Sequence, residues 1–190
     1  RNGETIREDG YTADLLAREF ERHLAARTSD RPFFYYVPFN ATHGPDEAPK
    51  ELVDKYRAVA ASETDADQNS RREFRALKYA MLESLDAAVG RILTALKTKD
   101  VLANTLIVFC NDNGGRHENL PLRGGKGDTY EGGVRVPCVM YWPGRIPAGR
   151  TIAGMAHAVD LYPTLLKLAG GSLQQKLPLD GADLWPMLTQ

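Results

Sequence analysis

The chain of 190 residues carries 24 Lys and Arg against 25 Asp and Glu, so no charge excess draws it to nucleic acid or to an anionic membrane surface. With 43% hydrophobic residues there is enough apolar surface for a real core, yet no apolar run approaches the roughly 20 residues of a membrane-spanning helix. One globular domain outside the bilayer is the expectation.

In chain order, Thr12 is placed to cap a helix in which Leu16, Phe20 and Leu24 recur every four residues. After the polar break Thr28 to Pro32 comes Phe33-Phe34-Tyr35-Tyr36-Val37, an unbroken apolar run that suits a strand covered on both faces. A loop with Asn40, Thr42, His43, Gly44 and Pro45 follows, then a short helix from Pro49 carrying Leu52, Val53 and Tyr56. The stretch Ser62 to Ser70 reads as solvated. From about Arg71 to Lys97, Leu77, Met81, Leu85, Val89, Ile92 and Leu96 keep to one face of a long helix.

Leu106 to Cys110 reads as a second buried strand, and Val134 to Trp142 as a third, separated by a polar, Gly-rich loop long enough to imply a task. Asp160 is expected to cap a last helix with Pro163 in its first turn and Gly170-Gly171 at its close. Alternation of strand and helix predicts an α/β fold, a mostly parallel central sheet flanked by helices that delivers its loops to one edge. Cys110 and Cys138 lie in the two later strands with no metal-type spacing, and are expected as buried thiols, a disulfide being left open.

Three segments carry candidate chemistry. Asn111-Asp112-Asn113-Gly114-Gly115 follows a strand, and its glycines let the Asp112 carboxylate and the Asn113 amide oxygen converge as hard donors for calcium or magnesium; taken alone it is also a turn signal. Pro121 to Gly127 offers Lys126 on a backbone that can approach an anion closely, though it is no P-loop. His43 stands just past the first strand, where a lone histidine is ordinarily only solvated. Together they suit an anionic ester, with a cation and Lys126 neutralising non-bridging oxygens and His43 bonding or protonating the leaving oxygen. No nucleophile with an activating partner is visible.

These segments, in order, resemble the sulfatase family, formylglycine-dependent enzymes of the alkaline-phosphatase-like superfamily. Phe33 to Pro45 is similar to the strand and histidine loop, Tyr79 to Asp86 to the long helix, and Asn111 to Gly115 to the metal loop. Arg123-Gly124-Gly125-Lys126-Gly127-Asp128-Thr129-Tyr130-Glu131-Gly132-Gly133-Val134-Arg135-Val136-Pro137 is the most specific match, and His157 to Leu166 and Leu179 to Leu184 complete the series. The resemblance implies an alkaline-phosphatase-like α/β fold, Asp112 and Asn113 as two calcium ligands, magnesium being the weaker fit, and Lys126 and His43 as catalytic groups on the sulfate. Asn113, where phosphatases of the superfamily place histidine for zinc, favours calcium. Glu131, Arg135 and Asp160 are expected as supports, and His117, between Arg116 and Glu118, as a substrate contact that is otherwise simply solvated.

The family's Cys-x-Pro-x-Arg or Ser-x-Pro-x-Arg motif, source of the formylglycine, and its further aspartate ligands do not occur between Arg1 and Gln190. The expectation is the C-terminal portion of one catalytic domain, residues 1–190, inactive alone, whose missing N-terminal half is its first partner. The implied substrate is a sulfated small molecule or sulfated carbohydrate, and family habit implies export to the periplasm, the lysosome or the outside. Two alternatives stand beside it: a phosphonate monoester or phosphodiester hydrolase of the same superfamily, and a non-catalytic anion-binding relic. Asn40-Ala41-Thr42 fits a glycosylation sequon that would crowd His43, and is read as incidental.

Overall fold

A computed structural model describes residues 2–28, 30–62, 69–116 and 119–190. The chain divides into two compact units, Arg1–Leu102 and Ala103–Gln190.

The first unit is three helices and an extended segment. Helix α1 (Thr12–Ala25) and helix α2 (Lys50–Ser62) both pack on the long α3 (Asn69–Thr98), within a residue or two of the boundaries the periodicity predicts. Tyr11 holds the N-cap of α1 without a side-chain bond, so Thr12 is the first helical residue and not the cap.

The buried face of α3 differs from the expected leucine stripe. Its most buried residues are Ala76, Ala80, Met81, Ser84, Ala88 and Leu96, while Leu77, Leu85, Val89 and Ile92 are half-buried. Two helices pack on α3, and small residues at every fourth position let the backbones approach closely while the larger side chains fill the flanks. Ala88 meets Ala13 and Ala17 of α1, with Tyr11 and Phe39 packed against them. The Arg91 guanidinium forks onto Glu21 at 2.6 and 2.9 Å, and Tyr56 of α2 tilts against Tyr79 at 5.6 Å.

Phe33 to Phe39 is extended but joins no ladder. Phe33, Tyr35, Val37 and Phe39 are half-buried, whereas Phe34 and Tyr36 remain 76% and 80% exposed. The two-residue period of a strand is therefore present with one face covered, Tyr35 standing edge-on to Phe20 of α1 at 4.9 Å. Burial on both faces, expected from the apolar run, is not what the structure shows.

In the second unit the strands are β1 (Ile107–Cys110) and β2 (Cys138–Tyr141), and they pair antiparallel. This corrects the expected parallel sheet: among the described residues the only sheet has two strands, because the chain between them folds back on itself instead of crossing over through a packed helix. The register sets Cys110 directly opposite Cys138. Both residues are exposed and unbridged, which overturns their expected full burial; partial desolvation of its sulfur and the neighbouring Cys110 push the Cys138 thiol up from its ordinary range.

The loop between the two strands holds the short α4 (Glu131–Val134), and after β2 come α5 (Leu161–Leu168) and α6 (Trp185–Thr189). Gly170, at φ +79°, closes α5: the Gly170 and Gly171 amides donate back to Lys167 and Leu166. Asp160 does not bond the first turn of α5 as a cap. Its carboxylate accepts from the amides of His157 at 2.7 Å and Ala182 at 2.8 Å, tying the entry of α5 to the later chain. These two donors hold its carboxyl below the usual carboxylate range. Among the described residues, no helix is long and apolar enough to cross a membrane.

Candidate functional site

In the second unit the chain from Asn111 to Pro137 is a folded loop held by its own backbone. Asn111 donates to Pro137 O, Gly114 to Gly133 O at 2.9 Å and Gly132 to Arg123 O at 2.8 Å, so three passes of chain lie side by side. Glycine makes this approach feasible. A Cβ on Gly114 would meet Gly132 O at 1.9 Å, and one on Gly133 would meet Asp128 O at 2.1 Å.

Lys126 is placed by the same bonding. Its amide donates to Gly115 O at 2.7 Å, and it stands between Gly124 and Gly127, both at positive φ. The Asp128 carboxylate accepts from the Gly125 amide at 2.9 Å and closes the turn around it. Asp112 and Asn113 lie three and two residues before Gly115, so the ammonium-bearing turn is bonded to the segment that carries the two oxygen donors. The side chain of Lys126 is exposed, as is that of Asp112, and the Asn113 amide nitrogen donates to Asp112 Oδ2 at 2.5 Å.

Asn119, which the sequence did not single out, braces the loop: its amide donates to Gly132 O at 2.7 Å and Gly115 O at 3.2 Å. Arg123 stacks on Tyr130 at 3.7 Å, and Glu131 pairs with Arg135 one turn on at 3.3 Å, both side chains of that pair being exposed.

The Asp112 carboxylate and the Asn113 amide are oxygen donors of the kind that fit a hard cation. Calcium takes about six to eight oxygens, so Asp112 and Asn113 are a share of such a site. Among the described residues no three His, Cys, Asp or Glu side chains gather as a metal cluster.

In the first unit His43 is exposed at the tip of the loop between Asn40 and Asp46. Its amide donates to Asn40 O at 2.7 Å, and its Nδ1 lies 2.8 Å from Gly44 O. A carbonyl only accepts, so Nδ1 bears the hydrogen and Nε2 is the position that can hold or give a proton. The loop is tied to α3 by Lys78, whose Nζ donates to Thr42 O at 2.7 Å and to Asp46 Oδ1 at 2.5 Å. No sequence signal marks Lys78, one of several basic residues on a charged helix face. His117, the remaining candidate, lies outside the described residues.

The family model described as Sulfatase matches residues 1–172. The chain belongs to the sulfatase family. It is 37% identical to human arylsulfatase A over 186 residues, which is 94% of this chain and 33% of that protein. With mouse arylsulfatase J the identity is 32% over 184 residues, 95% of this chain and 29% of that protein. The crystal structure of Ps i-CgsB in complex with k-i-k-neocarrahexaose superposes with a TM-score of 0.84 at 36% identity, covering 97% of this chain and 40% of that one. The chain thus spans about a third of the length of the curated sulfatases it matches.

Proposed function

We propose that these residues form the rear part of a calcium-dependent sulfuric ester hydrolase, supplying two metal ligands and two sulfate contacts. The observation that carries this is the backbone bond from the Lys126 amide to Gly115 O, which ties the turn bearing Lys126 to the segment bearing Asp112 and Asn113 in one braced loop of a sulfatase-family chain. A divalent cation, when bound, would supply Lewis-acid stabilisation of charge on the sulfate oxygens.

The chain's own part follows from its donors. Lys126, an unbranched point charge on an exposed turn, neutralises a non-bridging oxygen of the ester. Asp112 and Asn113 hold the cation. His43, with Nδ1 engaged by Gly44, presents Nε2 to the leaving alcohol oxygen and gives it a proton. The nucleophile, a formylglycine made from Cys or Ser, belongs to a part of the protein outside these 190 residues, and so do the further carboxylate ligands. The substrate is a sulfated small molecule or carbohydrate; the k-i-k-neocarrahexaose bound by Ps i-CgsB supports the carbohydrate. Export, as family habit implies, belongs to the same proposal.

The test is hydrolysis of 4-nitrophenyl sulfate by the full-length enzyme and its variants. Lys126→Ala, Asp112→Ala and His43→Ala are each expected to lower kcat by about 100-fold or more, the scale of losing one preorganised electrostatic contact. Chelation should abolish turnover and calcium restore it. The 190-residue chain alone should release no nitrophenol. A Lys126→Ala enzyme within a few-fold of wild type defeats the assignment, and faster cleavage of a phosphonate monoester than of the sulfate moves the ester class.

A further inference from the structure

We propose that Lys78 is a positioning residue for His43, holding the histidine loop against α3 so that the imidazole keeps one orientation. The proposal rests on the assignment of His43 to the leaving-group oxygen. Lys78 sits in the first half of the 30-residue α3, the most extensively packed element of its unit, and reaches out of that helix to two points of the loop. Thr42, immediately before His43, offers its carbonyl at 2.7 Å; Asp46, three residues after it, offers its carboxylate at 2.5 Å.

One ammonium therefore ties down both flanks of the histidine. The pair is no loose surface contact: the Lys78 and Asp46 side chains keep only 22% and 25% of their exposure, and the ammonium lies 5.2 Å from the ring centre of Phe74, one turn back on α3. Partial desolvation strengthens the ion pair relative to exposed ones, and a cation over an aromatic face adds to it.

The path to the imidazole is short. Gly44, whose carbonyl holds His43 Nδ1 at 2.8 Å, lies between the two anchored residues. With Thr42 and Asp46 fixed, the direction of that carbonyl is fixed, and with it the ring plane and the tautomer that leaves Nε2 for the substrate. Releasing the clamp lets the segment from Thr42 to Asp46 pivot. Misplacement of a proton donor by about 1 Å is enough to cost on the order of 100-fold in rate.

The experiment is a double-mutant cycle in the full-length enzyme with 4-nitrophenyl sulfate, using Lys78→Met, His43→Ala and the pair, with thermal midpoints recorded alongside. Lys78→Met keeps the stem over Phe74 and removes the charge. The expected result is a kcat lowered by about 10- to 100-fold with KM within about two-fold, and no further loss when Lys78→Met is added to His43→Ala. A purely structural ion pair would act equally in both backgrounds.

Two results overturn the proposal: Lys78→Met at wild-type kcat, or a loss of the same size with and without His43. If His43→Ala itself runs at the wild-type rate, the assignment of His43 falls and the clamp falls with it, which is distinguishable from failure of the clamp alone. Should Lys78→Met not fold, Asp46→Asn, which strips the ammonium of its anion, carries the same cycle. A kcat loss that vanishes in the His43→Ala background supports the proposal, and an unchanged or additive kcat overturns it.

Discussion

Replacing Gly132 with alanine adds one methyl group where three passes of chain touch. The new Cβ would lie 2.0 Å from Gly124 O and 2.7 Å from Arg123 O, against an ordinary contact of roughly 3.5 Å. Both neighbours are backbone, so no rotamer change relieves the clash; the passes must separate by about 1 Å or more. Separation breaks the Gly132 to Arg123 hydrogen bond, about 1 kcal/mol, and overpacking adds about 1–3 kcal/mol. A loss of roughly 3 kcal/mol in the second unit is expected. The chain has only two tryptophans, Trp142 and Trp185, which meet at 5.6 Å inside that unit, so fluorescence in a urea titration reports its unfolding in the 190-residue chain. Gly127 is the control: at φ +97° with open space around its missing Cβ, alanine there incurs only the left-handed strain of about 1–2 kcal/mol. Equal losses at the two glycines, or a loss below about 1 kcal/mol for Gly132→Ala, would refute the close-packed picture of the loop.

Gly90, exposed on α3 with nothing near its missing Cβ, should give the opposite sign: Gly90→Ala raises stability by about 0.5–1 kcal/mol, read by far-ultraviolet circular dichroism. Asp160 predicts an acid dependence. Its folded carboxyl is lowered by the His157 and Ala182 amides, so its contribution is full above the unfolded value of about 3.9 and fades as pH falls through the lower folded value. Asp160→Ala should therefore cost about 1 kcal/mol at pH 7, a figure discounted for solvent exposure, and the gap to wild type should close in strong acid; a gap that widens there counts against the two bonds. For Cys138, alkylation followed by peptide mass spectrometry should show a rate still climbing above the ordinary thiol midpoint of about 8.5. A plateau at or below that value contradicts the raised thiol.

What the sequence alone determined is what local interactions settle. Four-residue periodicity located α1, α2 and α3 because a helix makes its bonds within five residues, and the Gly170-Gly171 pair marked the end of α5 because only a left-handed residue lets the last carbonyls be met. The glycines of Arg123 to Gly133 marked a loop whose backbone can approach an anion closely around Lys126. Tertiary structure decided which chain segments meet, since such pairings join residues far apart in sequence and leave no period to read. Which face of α3 is buried depends on having two helices beside it; whether Phe34 is covered depends on a neighbour across the extended segment; whether β1 pairs parallel or antiparallel depends on how the intervening loop returns. The hold of Lys78 on the histidine loop spans 36 residues to Thr42 and 32 to Asp46. In one dimension Lys78 is a charge on a solvated face, and only the folding of the loop onto α3 gives it His43 to hold.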